Sequence, residues 1–181
     1  MNKLIKTGIL IIILILCVSM VKKGTIVVSQ MVFPLEYEEN IFRESEENGL
    51  SAYQVMGVIY AESKFSAGAH SGIAKGLMQI TDETAKEIAG KLGMKYNEDM
   101  AYNPEKNIKM GCYYLAYLKE LFGNMDTALA AYNAGPGKVK EWLSDERYSS
   151  DGVTLYKIPY PETEQYVERV RKLTGIYQKL Y

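Results

Sequence analysis

Histidine occurs once in this chain, at His70, and cysteine twice, at Cys17 and Cys112. There is no CxxC pair and no cluster of histidine with cysteine, so a structural zinc site has no ligand set, and a serine triad has only one histidine to draw on. Cys17 lies in an apolar N-terminal run and Cys112 in a helical stretch, an arrangement that argues against a disulfide. A basic surplus is also missing. Four of the 21 basic residues precede residue 24, leaving 17 against 22 acidic residues in the remainder. That balance excludes a nucleic-acid partner of the usual kind, which needs a basic face. Repeats, low-complexity stretches and strand-like alternation are lacking too. No metal and no cofactor is expected. Among the aromatics, tryptophan (one) and phenylalanine (four) are scarce against 15 tyrosines. Tyrosine joins apolar area to a polar tip, which suits both half-buried packing and sugar-binding clefts.

The N-terminal segment is the one long apolar run. Lys3 and Lys6 precede GILIIILILCVSMV, residues 8–21, in the manner of an export signal. The run is short for a membrane span unless it extends back to Leu4 with Lys6 reaching the interface. No small-residue cleavage site follows it, so residues 1–23 read as an uncleaved signal anchor in preference to a cleaved signal. Leu14, Ile15 and Leu16 before Cys17 do not suit lipoprotein processing. Lys3 and Lys6 on one side nearly balance Lys22 and Lys23 on the other, so charge alone does not orient the segment. Residues 24–33 read as a linker or a continuation of the membrane-proximal segment, and 34–181 as a single domain large enough to bury a core.

Helix signals dominate that domain. Pro34 to Asn48 is a candidate helix stopped by Gly49. Ser51 and Gln54 form a capping-box pattern ahead of Val55, Val58 and Ile59, opening a helix that ends between Glu62 and Lys64. Residues 66–76 carry three glycines and read as loop. Thr81 caps a helix to about Ala89. Asn103 with Pro104 opens a long helix that Gly123 stops. Asp126 is taken as the cap of a short helix running into Asn133, and Pro136 opens another to Leu143. Residues 144–160 are irregular, with Val153 to Ile158 the best candidate for an extended piece. A last helix runs from about Glu162. The class is mainly α, with little or no sheet, after an N-terminal apolar helix.

Three constellations carry chemistry. Glu62, in YAESKF, borders the buried face set by Val58 and Ile59. A glutamate at a helix end is ordinarily a solvated charge. This one is followed by a glycine-containing loop ending in GLMQI, which brings apolar Leu77 and Met78 and the amide of Gln79. A carboxylic acid against apolar walls has its pKa raised, as a general acid for glycosidic cleavage requires. The second is AYNAGPG, residues 131–137, where Asn133 offers both donor and acceptor for an acetamido group; its bland counterpart is a helix stop followed by a proline-initiated helix. The third is IPYPETEQYV, residues 158–167, in which Tyr166 falls one turn into a helix, where it could equally be a packing residue.

Taken together and in this order, the pieces resemble the Slt-type lytic transglycosylases, which have a lysozyme-like α+β fold. The matching residues are Glu62–Ser63, Gly76–Leu77–Met78–Gln79, Ala131–Tyr132–Asn133–Ala134–Gly135 and Glu162–Thr163 with Tyr166–Val167. They span roughly Leu35 to Leu180, and four motifs at compatible spacing are highly specific. The resemblance implies that Glu62 is the single catalytic acid and base. It implies that Met78 and Gln79 shape the cleft, that Tyr132 and Asn133 line it, and that Tyr166 points at the acid. A serine expected in the loop after the acid falls on Ser71 when aligned from Glu62 and on His70 when aligned back from GLMQ, because the loop is one residue short; Ser71 is taken. Ile73 or its neighbour stands where a glycine is usual.

The implied substrate is the glycan strand of peptidoglycan, cut at the MurNAc-β-1,4-GlcNAc bond without water to leave a 1,6-anhydro end. A lysozyme-like hydrolase would need a second carboxylate, for which Asp82 and Glu83 are the candidates. A non-catalytic glycan-binding scaffold is the third reading. The implied location is the cell envelope, with the domain outside a membrane-anchored N-terminus or secreted.

Overall fold

The structure, a computed structural model, describes residues 28–181 together with Leu16 and Met20. The expected signal segment, residues 1–23, thus lies almost wholly outside the described residues, as does Cys17. Among the described residues no helix is long and apolar enough to cross a membrane.

Among the described residues, seven α-helices follow a helical turn at residues 28–32: α1 (Glu38–Glu47), α2 (Ala52–Ser63), α3 (Asp82–Lys91), α4 (Pro104–Phe122), α5 (Met125–Ala134), α6 (Pro136–Leu143) and α7 (Pro161–Leu180). A 3-10 turn covers Glu98–Ala101. Three two-residue strands, β1 (His70–Ser71), β2 (Ala74–Lys75) and β3 (Ile80–Thr81), form an antiparallel sheet in that order. The domain is mainly α with a small sheet, as the helix signals and the resemblance imply.

Local chemistry explains most boundaries. Asn103 accepts a hydrogen bond from the Lys106 amide at 3.0 Å, Pro104 takes the first position of α4, and Gly123 ends it at φ 72°. Thr81 caps α3 through the Thr84 amide at 3.2 Å. Four expectations need correction. The first helix begins at Glu38, not Pro34, because Tyr37 adopts a left-handed conformation, φ 57°, that helical backbone cannot pass through. Ser51 occupies the N-cap of α2 but makes no side-chain cap bond, so the capping box is not formed. The cap of α5 is Asn124, whose Oδ1 accepts from the Thr127 amide at 2.8 Å; Asp126 sits inside the first turn, where its charge meets the helix dipole instead. Residues 153–158 form no strand; the sheet lies in the glycine-containing loop instead, where each strand is too short to show a period.

The core joins Ile59, Leu77, Met78, Ile108, Leu115, Leu118, Leu129 and Tyr177, all at most 1% exposed. Its principal pairing is α2 along α7. Gly57 permits that approach: a Cβ there would stand 2.9 Å from Thr174 Oγ1 and 3.1 Å from the Val170 carbonyl oxygen. The two helices held this closely carry Glu62 and Tyr166.

Candidate functional site

Glu62 lies in the last turn of α2. Lys64 and Phe65 immediately after it are both left-handed, at φ 52° and 66°, and the chain turns sharply while Phe65 enters the core. Burial raises the Glu62 carboxyl to about 7, against smaller opposing effects from the Tyr166 hydroxyl and the Arg169 charge. Desolvation is the first cause, as for a carboxylic acid in an apolar pocket.

Two phenols, one buried and one half-buried, respond to that carboxyl. Tyr166, on the first turns of α7, is 2% exposed, and its Oη has no well-formed hydrogen bond. Burial first, and then the charge on Glu62, push its pKa upward. Tyr132, near the end of α5, is pushed up by the same two causes. Its Oη donates to the Met78 carbonyl at 2.7 Å, and its ring lies 5.4 Å from that of Tyr114. The acid is thus faced from both α5 and α7.

The sheet presents the next group. β1 pairs with β2 as Ser71 opposite Ala74 and His70 opposite Lys75, across a tight turn at Gly72–Ile73. Successive strand side chains point to opposite faces, and only one of the two candidates reaches Gln79: Ser71 Oγ donates to Gln79 Oε1 at 2.6 Å. Gln79 is itself fixed. Its Nε2 donates to the carbonyls of Ala69, at 3.1 Å, and Gly76, at 2.8 Å, and its backbone is left-handed at φ 47°. Met78, in contrast, turns its side chain into the core, 0% exposed, over Gly111 of α4. It meets the site through its carbonyl rather than its thioether.

Asn133 accepts a hydrogen bond at Oδ1 from the hydroxyl of buried Thr163 at 2.8 Å, which leaves its NH2 group to the groove. A groove of about 260 Å³ is lined by Gln79, Thr84, Tyr114, Tyr132, Asn133 and Pro136 among others. Its neutral amides, hydroxyls and aromatic rings suit an N-acetylated sugar. A larger depression of about 440 Å³ around Tyr113, Tyr117 and Lys119 holds none of the residues of the four motifs.

Sequence reasoning missed the residue that holds this framework. Asn107, on α4, is 0% exposed. Its Oδ1 accepts from the Met78 amide at 2.8 Å, and its Nδ2 donates to the carbonyls of Ala101, at 2.8 Å, and Lys75, at 3.1 Å. Gly76 at φ 77° passes so close that a Cβ would meet the Ala101 oxygen at 2.0 Å and Asn107 Nδ2 at 2.5 Å. The available signal was an asparagine one turn before Gly111 on the apolar face of a long helix. Thr163 was named only within the Glu162–Thr163 motif, without its contact to Asn133.

Asp82, a candidate second carboxylate, is engaged elsewhere. Lys75 Nζ lies 2.7 Å and 3.0 Å from its two oxygens, and Tyr96 Oη donates at 2.6 Å. These bonds, that of Lys75 first, hold its carboxyl below the usual range. A carboxylate so saturated is a poor base for water. Glu83 is exposed on the first turn of α3. Among the described residues, no three His, Cys, Asp or Glu side chains are grouped to hold a metal ion.

Residues 39–153 match the family model described as "Transglycosylase SLT domain". The chain is 34% identical over 151 residues to the soluble lytic murein transglycosylase of Salmonella typhimurium, covering 81% of this chain and 23% of that one. It is 28% identical over 169 residues to the membrane-bound lytic murein transglycosylase C of Serratia proteamaculans, covering 80% of this chain and 47% of that protein. Among solved structures it is similar to an inactive Glu→Gln variant of lytic transglycosylase Slt from Pseudomonas aeruginosa, with 38% identity, a TM-score of 0.75, and coverage of 83% of this chain and 25% of that one. The 70 kDa soluble lytic transglycosylase of Escherichia coli gives a TM-score of 0.73 at 29% identity, with the same coverage. The chain spans about a quarter of the length of these soluble relatives.

Proposed function

The chain belongs to the transglycosylase SLT domain family, and on that premise we propose that it is a peptidoglycan lytic transglycosylase that cuts the MurNAc-β-1,4-GlcNAc bond without water. The observation that carries the reading is a single carboxyl, Glu62, raised to about 7 by burial and faced by buried Tyr166 and half-buried Tyr132.

Protonated Glu62 gives its proton to the glycosidic oxygen as the bond to the muramic anomeric carbon breaks. The positive charge that develops there is met by the substrate's own acetamido oxygen. Glu62, now an anion, then removes the proton of the muramic 6-hydroxyl, and that oxygen bonds to the anomeric carbon. The products are a 1,6-anhydromuramic end and a GlcNAc with a free 4-hydroxyl, and Glu62 is protonated again. Tyr166 serves the anionic stage, since its buried hydroxyl can donate to a carboxylate. Tyr132, Gln79 and Ser71 form one wall of the cleft, braced from behind by the Met78 carbonyl. Asn133 presents its NH2 group to an acetamido oxygen.

The hydrolytic alternative needs a water-activating carboxylate, and the bonds to Lys75 and Tyr96 speak against Asp82 in that role. The scaffold alternative would not require a half-buried acid with a raised pKa, which costs stability. We also assign residues 1–23 as a signal anchor that holds the domain, residues 34–181, outside the cytoplasmic membrane. Mass spectrometry of sacculi digested by the wild type and by Glu62→Gln tests the reaction. Anhydro ends from the wild type and none from the variant support it, and reducing muramic ends from the wild type contradict it.

A further inference from the structure

Residues 28–32 are helical, with the Phe33 amide bonded to the Ser29 carbonyl at 2.8 Å. The amphipathicity of this turn is inverted. Val28, Met31 and Val32, one helical face by their spacing, are 61%, 77% and 54% exposed. Ser29 and Gln30, the polar residues, are the half-buried ones, and Gln30 Nε2 reaches the Leu180 carbonyl at 3.4 Å. Water does not reward that arrangement.

The turn is also held fast. Tyr60 Oη donates to the Val32 carbonyl at 3.1 Å, Tyr181 Oη to that of Phe33 at 2.9 Å, and Tyr177 Oη to that of Pro34 at 3.0 Å. Three successive carbonyls are thus clamped by three phenols, and the Phe33 ring packs 5.2 Å from Tyr60 and 6.4 Å from Tyr177. Tyr60 lies on α2 two residues before Glu62, and Tyr177 lies on α7, the helix of Tyr166. Whatever fixes residues 28–32 in space therefore fixes the catalytic helices.

We propose that the outward face of Val28, Met31 and Val32 rests on a lipid bilayer surface, and that the tyrosine clamp makes this contact a rigid mount that sets the height and tilt of the catalytic cleft above the membrane. The occupant follows from what lies next to the face in the chain: Lys22 and Lys23, suited to anionic headgroups, and before them the apolar run of residues 8–21. Tyrosine rings with one polar end are also the side chains that settle at membrane–water interfaces. The mount deepens the assignment of the N-terminus as an anchor and rests on that reading, but it is independent of the chemistry at Glu62.

The test uses the full chain in a Cys17→Ser background, Cys112 being buried, with a nitroxide at Met31→Cys or at the exposed Lys140→Cys, and vesicles of phosphatidylethanolamine and phosphatidylglycerol. On vesicles the Met31 label is expected to gain collisions with oxygen and lose them with an aqueous nickel chelate, while the Lys140 label stays aqueous. Tyr60→Phe, Tyr177→Phe and Tyr181→Phe together are expected to raise the mobility of the Met31 label. Replacing Val28 and Val32 by serine, surface changes that spare the core, is expected to lower the oxygen collisions of the Met31 label on vesicles by about twofold or more while the anchor keeps the chain bound. A Met31 label that stays aqueous on a membrane-bound chain overturns the mount while leaving the anchor standing. Failure of the chain to bind vesicles overturns both. A label immobilised without vesicles, in proportion to protein concentration, overturns the mount in favour of a second copy of the chain. No outcome depends on cleavage, so none bears on the reaction.

Discussion

Tyr132 donates its phenolic hydrogen to the carbonyl of Met78 across 2.7 Å. That bond joins AYNAG to GLMQ, two motifs 54 residues apart in the chain. It makes the cleft wall one unit: Tyr132 is anchored to Met78, the Met78 amide to Asn107, and the neighbouring Gln79 to Ser71.

Glu62 should destabilise the fold above pH 5. Its native pKa of about 7 lies above its unfolded value of 4.5. Between those values the native state holds a proton that the unfolded state has lost, so stability falls as pH rises through that window. The cost at pH 8 is roughly 3.5 kcal/mol at most, taking each pKa unit as about 1.4 kcal/mol. Glu62→Gln removes it. Urea unfolding of both proteins at pH 5 and pH 8 is expected to show similar midpoints at pH 5 and a variant clearly more stable at pH 8.

The same titration governs activity. The acid must begin protonated, so kcat/KM is expected to decline on the alkaline side of about pH 7. Tyr166→Phe removes a hydroxyl that lowers the Glu62 pKa, so the alkaline limb should move to higher pH. Maximal activity should fall by about tenfold to a hundredfold, the value of one hydrogen bond to a charged group. An unmoved limb would show that Tyr166 only packs.

Asn107 positions the cleft without touching it. Asn107→Leu leaves the Met78 amide and the Ala101 and Lys75 carbonyls without their buried partner, at a cost of several kcal/mol on the scale of about 1–3 for each orphaned group. Asn107→Asp keeps Oδ1 but loses the two donated bonds. It is expected to fold, with kcat reduced more than KM is raised, because the wall that carries Gln79 and braces Tyr132 is displaced. Thermal denaturation beside steady-state turnover on purified glycan strands checks both.

All seven helices carry a proline, glycine or hydroxyl signal at an end and were legible to within a few residues, apart from the late start of α1. The place of Glu62 was legible too, since the apolar residues before it and the glycines after it mark a carboxyl at a helix end beside the buried face. The sheet was not legible, because its three two-residue strands have no alternation to read. Asn124 was passed over for Asp126 because both are good caps, and the choice depends on which side chain meets the amide of Thr127. Asn107 escaped because its three partners are backbone groups, two of them in segments that only the fold brings beside α4. Ser71 was favoured over His70 by counting from Glu62. Of these two neighbours only Ser71 meets Gln79.

The central claim is that one carboxyl acts as acid and then as base on the same sugar, with no water entering. Digestion of purified peptidoglycan in oxygen-18 water tests this most directly. The account predicts 1,6-anhydromuramic ends free of the heavy isotope at all stages of digestion. Reducing muramic ends carrying oxygen-18 as the primary product would contradict it and would move the chain to the hydrolases.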